Sequence, residues 1–184
     1  MEILDFSDIE NYEVTGGGVI MYSRRERESE IFLLLGREAC ITPWEHMFLY
    51  SEFGGGVGEG ETNLDGIIRE CYEETQGFFG DESYLKKKVT SDNKKCIYME
   101  ENKSMYLFYE IEYDENVERY YRNNYLYYEK MVKNGDDMMK YFQKGYFEKD
   151  MITYFPLNNK QNCLMRDHFQ KLMLFILPNK NILF

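Results

Sequence analysis

Phe53-Gly54-Gly55-Gly56-Val57-Gly58-Glu59-Gly60-Glu61-Thr62-Asn63-Leu64-Asp65-Gly66-Ile67-Ile68-Arg69-Glu70-Cys71-Tyr72-Glu73-Glu74-Thr75-Gln76-Gly77-Phe78 is the stretch whose reading decides the fold. Its second half predicts a helix over 63–78. Thr62 or Asn63 can cap the start, Ile67, Cys71 and Phe78 mark an apolar side, and Gly77 supplies the stop. Glu70, Glu73 and Glu74 follow at i, i+3 and i+4, which predicts that they share one helical face. Three carboxylates so close repel one another unless a cation neutralises them, and hard oxygen donors favour Mg²⁺ or Mn²⁺. The glycine-rich first half delivers the chain to the helix start and can present backbone groups to metal and phosphate. Taken alone, a cluster of three glutamates is more often a solvated acidic face.

The joint pattern changes that balance. Residues 55–78 resemble the Nudix box, in which a glycine precedes a glutamate by six positions and Arg-Glu follows eight later. Gly55, Glu61 and Arg69-Glu70 stand at those spacings, with apolar Cys71 and then Glu73-Glu74 in register. Leu33-Leu34-Leu35-Gly36-Arg37-Glu38, then Trp44, then Phe53-Gly54-Gly55 is similar to the strand–loop–strand entry of that family, so the resemblance covers residues 14–80. One departure is visible. The family's usual ending is Glu-Glu-x-Gly-hydrophobic, whereas here the glycine arrives one residue late, at Gly77.

Outward from the box, Val14–Tyr22 reads as a strand carrying Gly16, Gly17 and Gly18, and Ile31–Leu35 as a strand buried on both faces. Phe48–Phe53 reads as one short strand before the glycines. Strands are expected at Lys95–Met99 and Met105–Tyr113. Val117, Tyr121, Tyr125, Tyr128 and Val132 recur at helical spacing, so 115–133 is expected to be a helix with a core-facing tyrosine stripe. A polar connection over 134–144 leads to a strand at Met151–Phe155, and Met165, Phe169, Leu172, Met173 and Ile176 define a last helix ending before Pro178. The order β-β-β-α-β-β-α-β-α predicts an α/β fold, a mixed sheet sandwiched by helices. One domain is expected over 1–184, with the box at 55–78 and a helical insertion at about 115–147.

The bulk properties exclude more than they assign. A 184-residue chain with 43% hydrophobic and 30% charged residues has the composition of a globular domain. No apolar run is long enough to span a membrane, and Met1-Glu2-Ile3-Leu4-Asp5 lacks the pattern of a signal peptide. Cys40, Cys71, Cys96 and Cys163 are scattered, which is simplest for reduced thiols in a cytoplasmic setting. A net charge of −11 disfavours broad, charge-driven nucleic-acid binding while leaving room for recognition of a single chain end. The basic groups Arg24-Arg25 with Arg27, Lys86-Lys87-Lys88 and Lys94-Lys95 read first as solvated turns. His46 and His168 read as surface or packing residues. Oligomeric state is not legible, although an aromatic share of 17% leaves room for a dimer interface.

The resemblance implies a Nudix hydrolase: a Mg²⁺- or Mn²⁺-dependent enzyme that cleaves a phosphoanhydride bond in a nucleoside-diphosphate-linked substrate. It implies that Glu70, Glu73 and Glu74 hold the metal, helped by the carbonyl of Gly54 or Gly55. Arg69 and Glu61 would pair to orient the loop against the helix, and Gly66 would pack closely beneath it. The general base would be a box glutamate, Glu73 or Glu74, or an acid from a later loop, with Glu148 first and Asp150 second. Arg37 and Lys86–Lys88 are candidates for phosphate contact. Trp44, Tyr72 and the Tyr120–Tyr128 segment are candidates for base stacking. Arg-Glu-x-Tyr-Glu-Glu-Thr-x-Gly-Phe also looks similar to Nudix sequences of large DNA viruses, some of which remove mRNA caps. A capped RNA 5′ end therefore stands beside small nucleotides and diphosphoinositol phosphates as a substrate class. A Nudix-fold binding module without catalysis is the alternative from a different class.

Overall fold

The computed structural model describes residues 1–25, 30–40, 45–92, 95–134, 144–157 and 164–184. Strands β1 (Glu2–Asp5), β2 (Gly16–Arg24), β3 (Ile31–Glu38), β4 (Tyr50–Ser51), β5 (Phe53–Gly56), β6 (Lys95–Met99), β7 (Ser104–Glu110) and β8 (Lys149–Pro156) form one sheet. Its order is β1-β6-β7-β2-β3-β4, with β5 paired to β2 and β8 paired to β3. The β2–β7 pair is parallel and the other pairs are antiparallel, so the sheet is mixed. Helices α1 (Asn63–Glu74), α2 (Glu82–Asp92) and α3 (Val117–Lys133) lie on one side and α4 (Asp167–Leu183) on the other.

Alternation along the central strands explains the sandwich. Val19, Met21 and Leu34 join Ile67, Ile68, Cys71, Leu85, Val89 and Tyr121 in one core. Their neighbours Ile20, Tyr22, Leu33 and Leu35 join Phe169, Leu172, Met173 and Ile176 in the other. Successive strand residues point to opposite faces, so a strand covered on both sides must be apolar throughout. The tyrosine stripe packs inward, with Tyr121 and Tyr125 buried. Among the described residues no helix is long and apolar enough to cross a membrane.

Four local expectations are corrected. The 48–53 strand is two pieces, because β2 and β3 pair only from Met21↔Leu34 to Arg24↔Ile31 and then diverge. The chain between them serves both: β4 pairs with β3 at Gly36↔Ser51, and β5 pairs with β2 from Gly16↔Gly56 to Val19↔Phe53. Phe48 lies outside both pieces, with φ 67°. The box helix ends at Glu74, and Gln76 and Gly77 both take positive φ. Lys86–Lys88 lie on α2 rather than in a turn, and Lys86 bridges to Asp65 of α1. Finally, α4 runs through Pro178 to Leu183. The residue four back, Leu174, is exposed, Asn179 Nδ2 bonds the next carbonyl, that of Phe175, at 2.8 Å, and Phe184 beyond the helix packs on Tyr22 and Phe108. Trp44, Arg27, Lys94, Cys163 and residues 135–143 lie outside the described residues.

Candidate active site

The site is built where α1 crosses β5. Thr62 caps α1, its Oγ1 accepting from the Asp65 N–H at 3.1 Å, and the Glu10 carboxylate accepts from the N–H groups of Asn63 and Leu64 at 2.9 and 3.0 Å. A Cβ on Gly66 would meet Glu61 Oε2 and Val57 at 3.0 Å, so glycine lets the helix settle onto the loop before it.

Arg69 organises the outer face. Its Nε and Nη2 donate to the two oxygens of Glu61 at 2.7 and 3.0 Å, and Nη2 also reaches the Gly56 carbonyl at 3.0 Å. Its Nη1 donates to Glu70 Oε1 at 2.7 Å and to Glu73 Oε1 at 3.4 Å. Glu61 Oε2 in turn accepts from the Gly58 N–H at 2.7 Å, which closes the glycine loop onto the helix. Hydrogen bonding to Arg69 holds the Glu61 carboxyl below its ordinary range and raises the guanidinium.

The three box carboxylates do not meet at one point. Glu70 and Glu73 share Arg69, whereas Glu74 turns to the sheet, where Oε2 accepts from the Gly54 N–H at 2.6 Å and Oε1 lies 3.4 Å from Lys149 Nζ. Adjacent helix residues are about 100° apart around the axis, so Glu73 and Glu74 share an edge of the helix but not a focus. Among the described residues no three Asp, Glu, His or Cys side chains are grouped to hold an ion as they stand. Burial pushes the Glu74 carboxyl up to about 8, with Lys149 opposing and Glu38 and Glu148 adding to the rise. The Glu148 carboxylate is thus within electrostatic reach of the box, and its backbone is held by Ala39 N–H at 2.8 Å.

The outer pair fits a hard divalent cation. The Glu70 carboxylate lies over Gly55 where a side chain would collide with it, and a Cβ on Gly145 would stand 3.0 Å from the Cβ of Glu73. Three carboxylates (Glu61, Glu70 and Glu73) face the one guanidinium of Arg69, which leaves excess negative charge. Burial raises the Glu73 carboxyl, and Glu70 adds to the rise against Arg69, a cost that a bound cation relieves. The Gly55 carbonyl is turned toward Gly16 of β2.

Residues 14–124, more than half of the chain, match the model of the NUDIX domain. The chain belongs to the Nudix family. This Nudix domain is similar in fold to a solved C. elegans Ap4A hydrolase binary complex, with 14% identity over 90% of this chain and 98% of that one and a TM-score of 0.51. It is also similar to the M. smegmatis Nudix hydrolase RenU (7% identity, 92% and 87% covered, TM-score 0.48). A third likeness is to the NUDIX domain of Shewanella oneidensis NrtR complexed with ADP ribose (11% identity, 96% and 97% covered, TM-score 0.46). No curated protein sequence matches the chain. At 14% identity the likeness to the Ap4A hydrolase is one of fold alone.

The remaining sequence candidates are placed as follows. Arg37 gives Nε and Nη2 to Asp150 at 2.9 and 2.8 Å and lies over the Phe48 ring, so both partners of that pair are engaged with each other. Tyr72 packs edge-on against Tyr146. Within the tyrosine segment, Tyr120 and Tyr127 are exposed. His46 lies beside Glu45, and His168 Nε2 is 2.9 Å from Glu52 Oε1. Sequence reasoning did not single out Glu38, Glu52, Lys149 or Arg166. The available signal was a charged residue directly flanking an apolar strand, as in Leu33–Glu38 and Lys149–Phe155.

Proposed function

We propose that this Nudix domain hydrolyses a phosphoanhydride bond in a nucleoside-diphosphate-linked substrate with Mg²⁺ or Mn²⁺. The observation that carries the proposal is the Arg69 fork, which gathers Glu61, Glu70 and Glu73 beneath the glycine-rich β5 strand. Glu70 and Glu73 would hold the cation, and Glu74 would lock the helix to β5 through the Gly54 N–H. When bound, the metal supplies Lewis acidity toward the phosphoryl oxygens and toward water. Water adds to phosphorus, the bridging P–O bond breaks, and the departing phosphate carries the electron pair. The proton of the attacking water passes to a carboxylate, for which Glu148 is the candidate beside the box. Arg69 touches no reacting atom in this scheme and acts by positioning.

The finer choice of substrate falls between a capped RNA end and small dinucleotides or nucleotide sugars. The viral-type form of the box motif favours the cap, and the net charge of −11 favours small substrates. The test is incubation with Mn²⁺ and, in parallel, capped RNA, free cap dinucleotide and a panel of dinucleoside polyphosphates and nucleotide sugars. Release of m⁷GDP from capped RNA faster than cleavage of the free cap assigns decapping, and the reverse assigns small-nucleotide hydrolysis. Mn²⁺ binding with no product from any of them would overturn the proposal.

A further inference from the structure

The inner side of Glu74 already faces a cation that belongs to the chain. Lys149, at the first position of β8, is fully buried. Its Nζ donates to Glu38 Oε1 and to Ser51 Oγ (2.8 Å), and lies 3.4 Å from Glu74 Oε1. The ammonium thus donates to two oxygens, from β3 and β4, and forms an ion pair with a third, from α1. Glu38 Oε1 also accepts from Ser51 Oγ at 3.0 Å and from Arg166 Nη1 at 3.1 Å. Glu52, next in line, is held by His168 and adds its field to that of Glu38 and Glu74 around Lys149.

The fold makes room for this side chain. A Cβ on Gly36 would stand 2.8 Å from Lys149 Cδ and 2.9 Å from Phe53 Cε1, so only glycine lets the lysine stem cross β3. Tyr121 then closes the helix side, its hydroxyl donating to the carbonyls of Glu74 and Lys149 at 2.8 and 3.1 Å. A cage of carboxylate and hydroxyl oxygens is the donor set that a hard cation takes. Here a tethered ammonium fills it, and the fields of Glu74 and Glu38 offset the cost of stripping it of water. A group buried this deeply is retained only when its charge is paired.

We propose that Lys149 is a built-in counter-cation that stands in for a divalent ion on the inner face of the box helix, confining Mg²⁺ or Mn²⁺ to Glu70 and Glu73. The second half of this statement rests on the metal reading above; the first half does not. The experiment counts Mn²⁺ bound per chain, from the electron paramagnetic resonance signal of the free ion, in the wild type, Lys149→Met and Lys149→Met/Glu74→Gln. Lys149→Met is expected to bind one more ion than the wild type, and the added Glu74→Gln substitution to abolish that gain. A folded Lys149→Met protein that binds the same number or fewer overturns the proposal. Should Lys149→Met be unfolded in chelator, Mn²⁺ is expected to refold it, and failure to refold likewise overturns it. A wild type that binds no Mn²⁺ and cleaves nothing would sink the hydrolase reading instead, while the gain between variants would still decide the role of Lys149.

Discussion

Gln76 stands in the left-handed region at φ 57°, and its side-chain Nε2 donates to the Tyr146 carbonyl at 2.8 Å. Asn124 Nδ2 donates back to Gln76 Oε1 at 3.2 Å. This is the position where the Nudix box ordinarily carries glycine. The chain accepts an unfavourable backbone conformation and in return ties the exit of α1 to α3 and to the turn at Lys144–Phe147, which leads into Glu148.

Replacing Gln76 by glycine separates the two effects. Relief of the left-handed conformation is worth about 1 kcal/mol. The two lost side-chain hydrogen bonds cost about 1 kcal/mol each. Gln76→Gly is therefore expected to lose about 1 kcal/mol net in urea denaturation while kcat falls roughly tenfold, the effect of about 1.4 kcal/mol at the barrier. Unchanged turnover would show that the tie serves only the fold.

Glu73 touches Arg69 on the outer face and lies against Gly145. Glu73→Gln preserves shape and removes charge. Turnover is expected to drop by at least roughly 10²-fold with the melting temperature within a few degrees of wild type, the loss typical of a metal-binding or base carboxylate. Near-normal steady-state rates would remove Glu73 from the mechanism.

Tyr121 is the polar rivet of α3, fully buried with its hydroxyl bonded to two carbonyls from different elements. Tyr121→Phe leaves the ring packing intact and strips both acceptors of their donor. Such buried, unsatisfied groups cost about 1–3 kcal/mol. Chemical denaturation should register a loss of that order, and a midpoint matching wild type would mean that water replaces the hydroxyl.

Glu52 gives the acid limb of stability. Burial raises its carboxyl, but His168 and then Lys149 more than offset this, leaving it below its ordinary value of 4.5. A depressed carboxylate adds stability that is present above the ordinary value and disappears as pH falls through the folded one. Melting temperatures are expected to decline as pH drops below about 4.5, and Glu52→Gln to flatten that decline. An identical acid profile in the variant would show that another group sets the limb.

Legibility followed locality. The box helix, the two-faced strands and the tyrosine stripe were readable because capping and periodicity act over a few neighbouring residues. Helix α2 was missed because, among its described residues, only Leu85 and Val89 are buried, too faint a stripe to outweigh its lysines. The break between Ser51 and Phe53 was missed because it depends on the divergence of β2 from β3, which no residue in the segment announces.

By itself, the sequence determined that a glutamate-bearing helix follows a glycine loop, that the sheet is buried on both faces, and which family the chain belongs to. These depend on short-range spacing, and spacing is written in the chain. Only the tertiary structure decided that Glu74 turns inward while Glu70 and Glu73 stay out, and that Lys149 meets Glu38 across 111 positions. Which side of a helix lies against the sheet, and which distant side chain fills the gap beneath it, is settled by how the layers pack, after the local elements have formed.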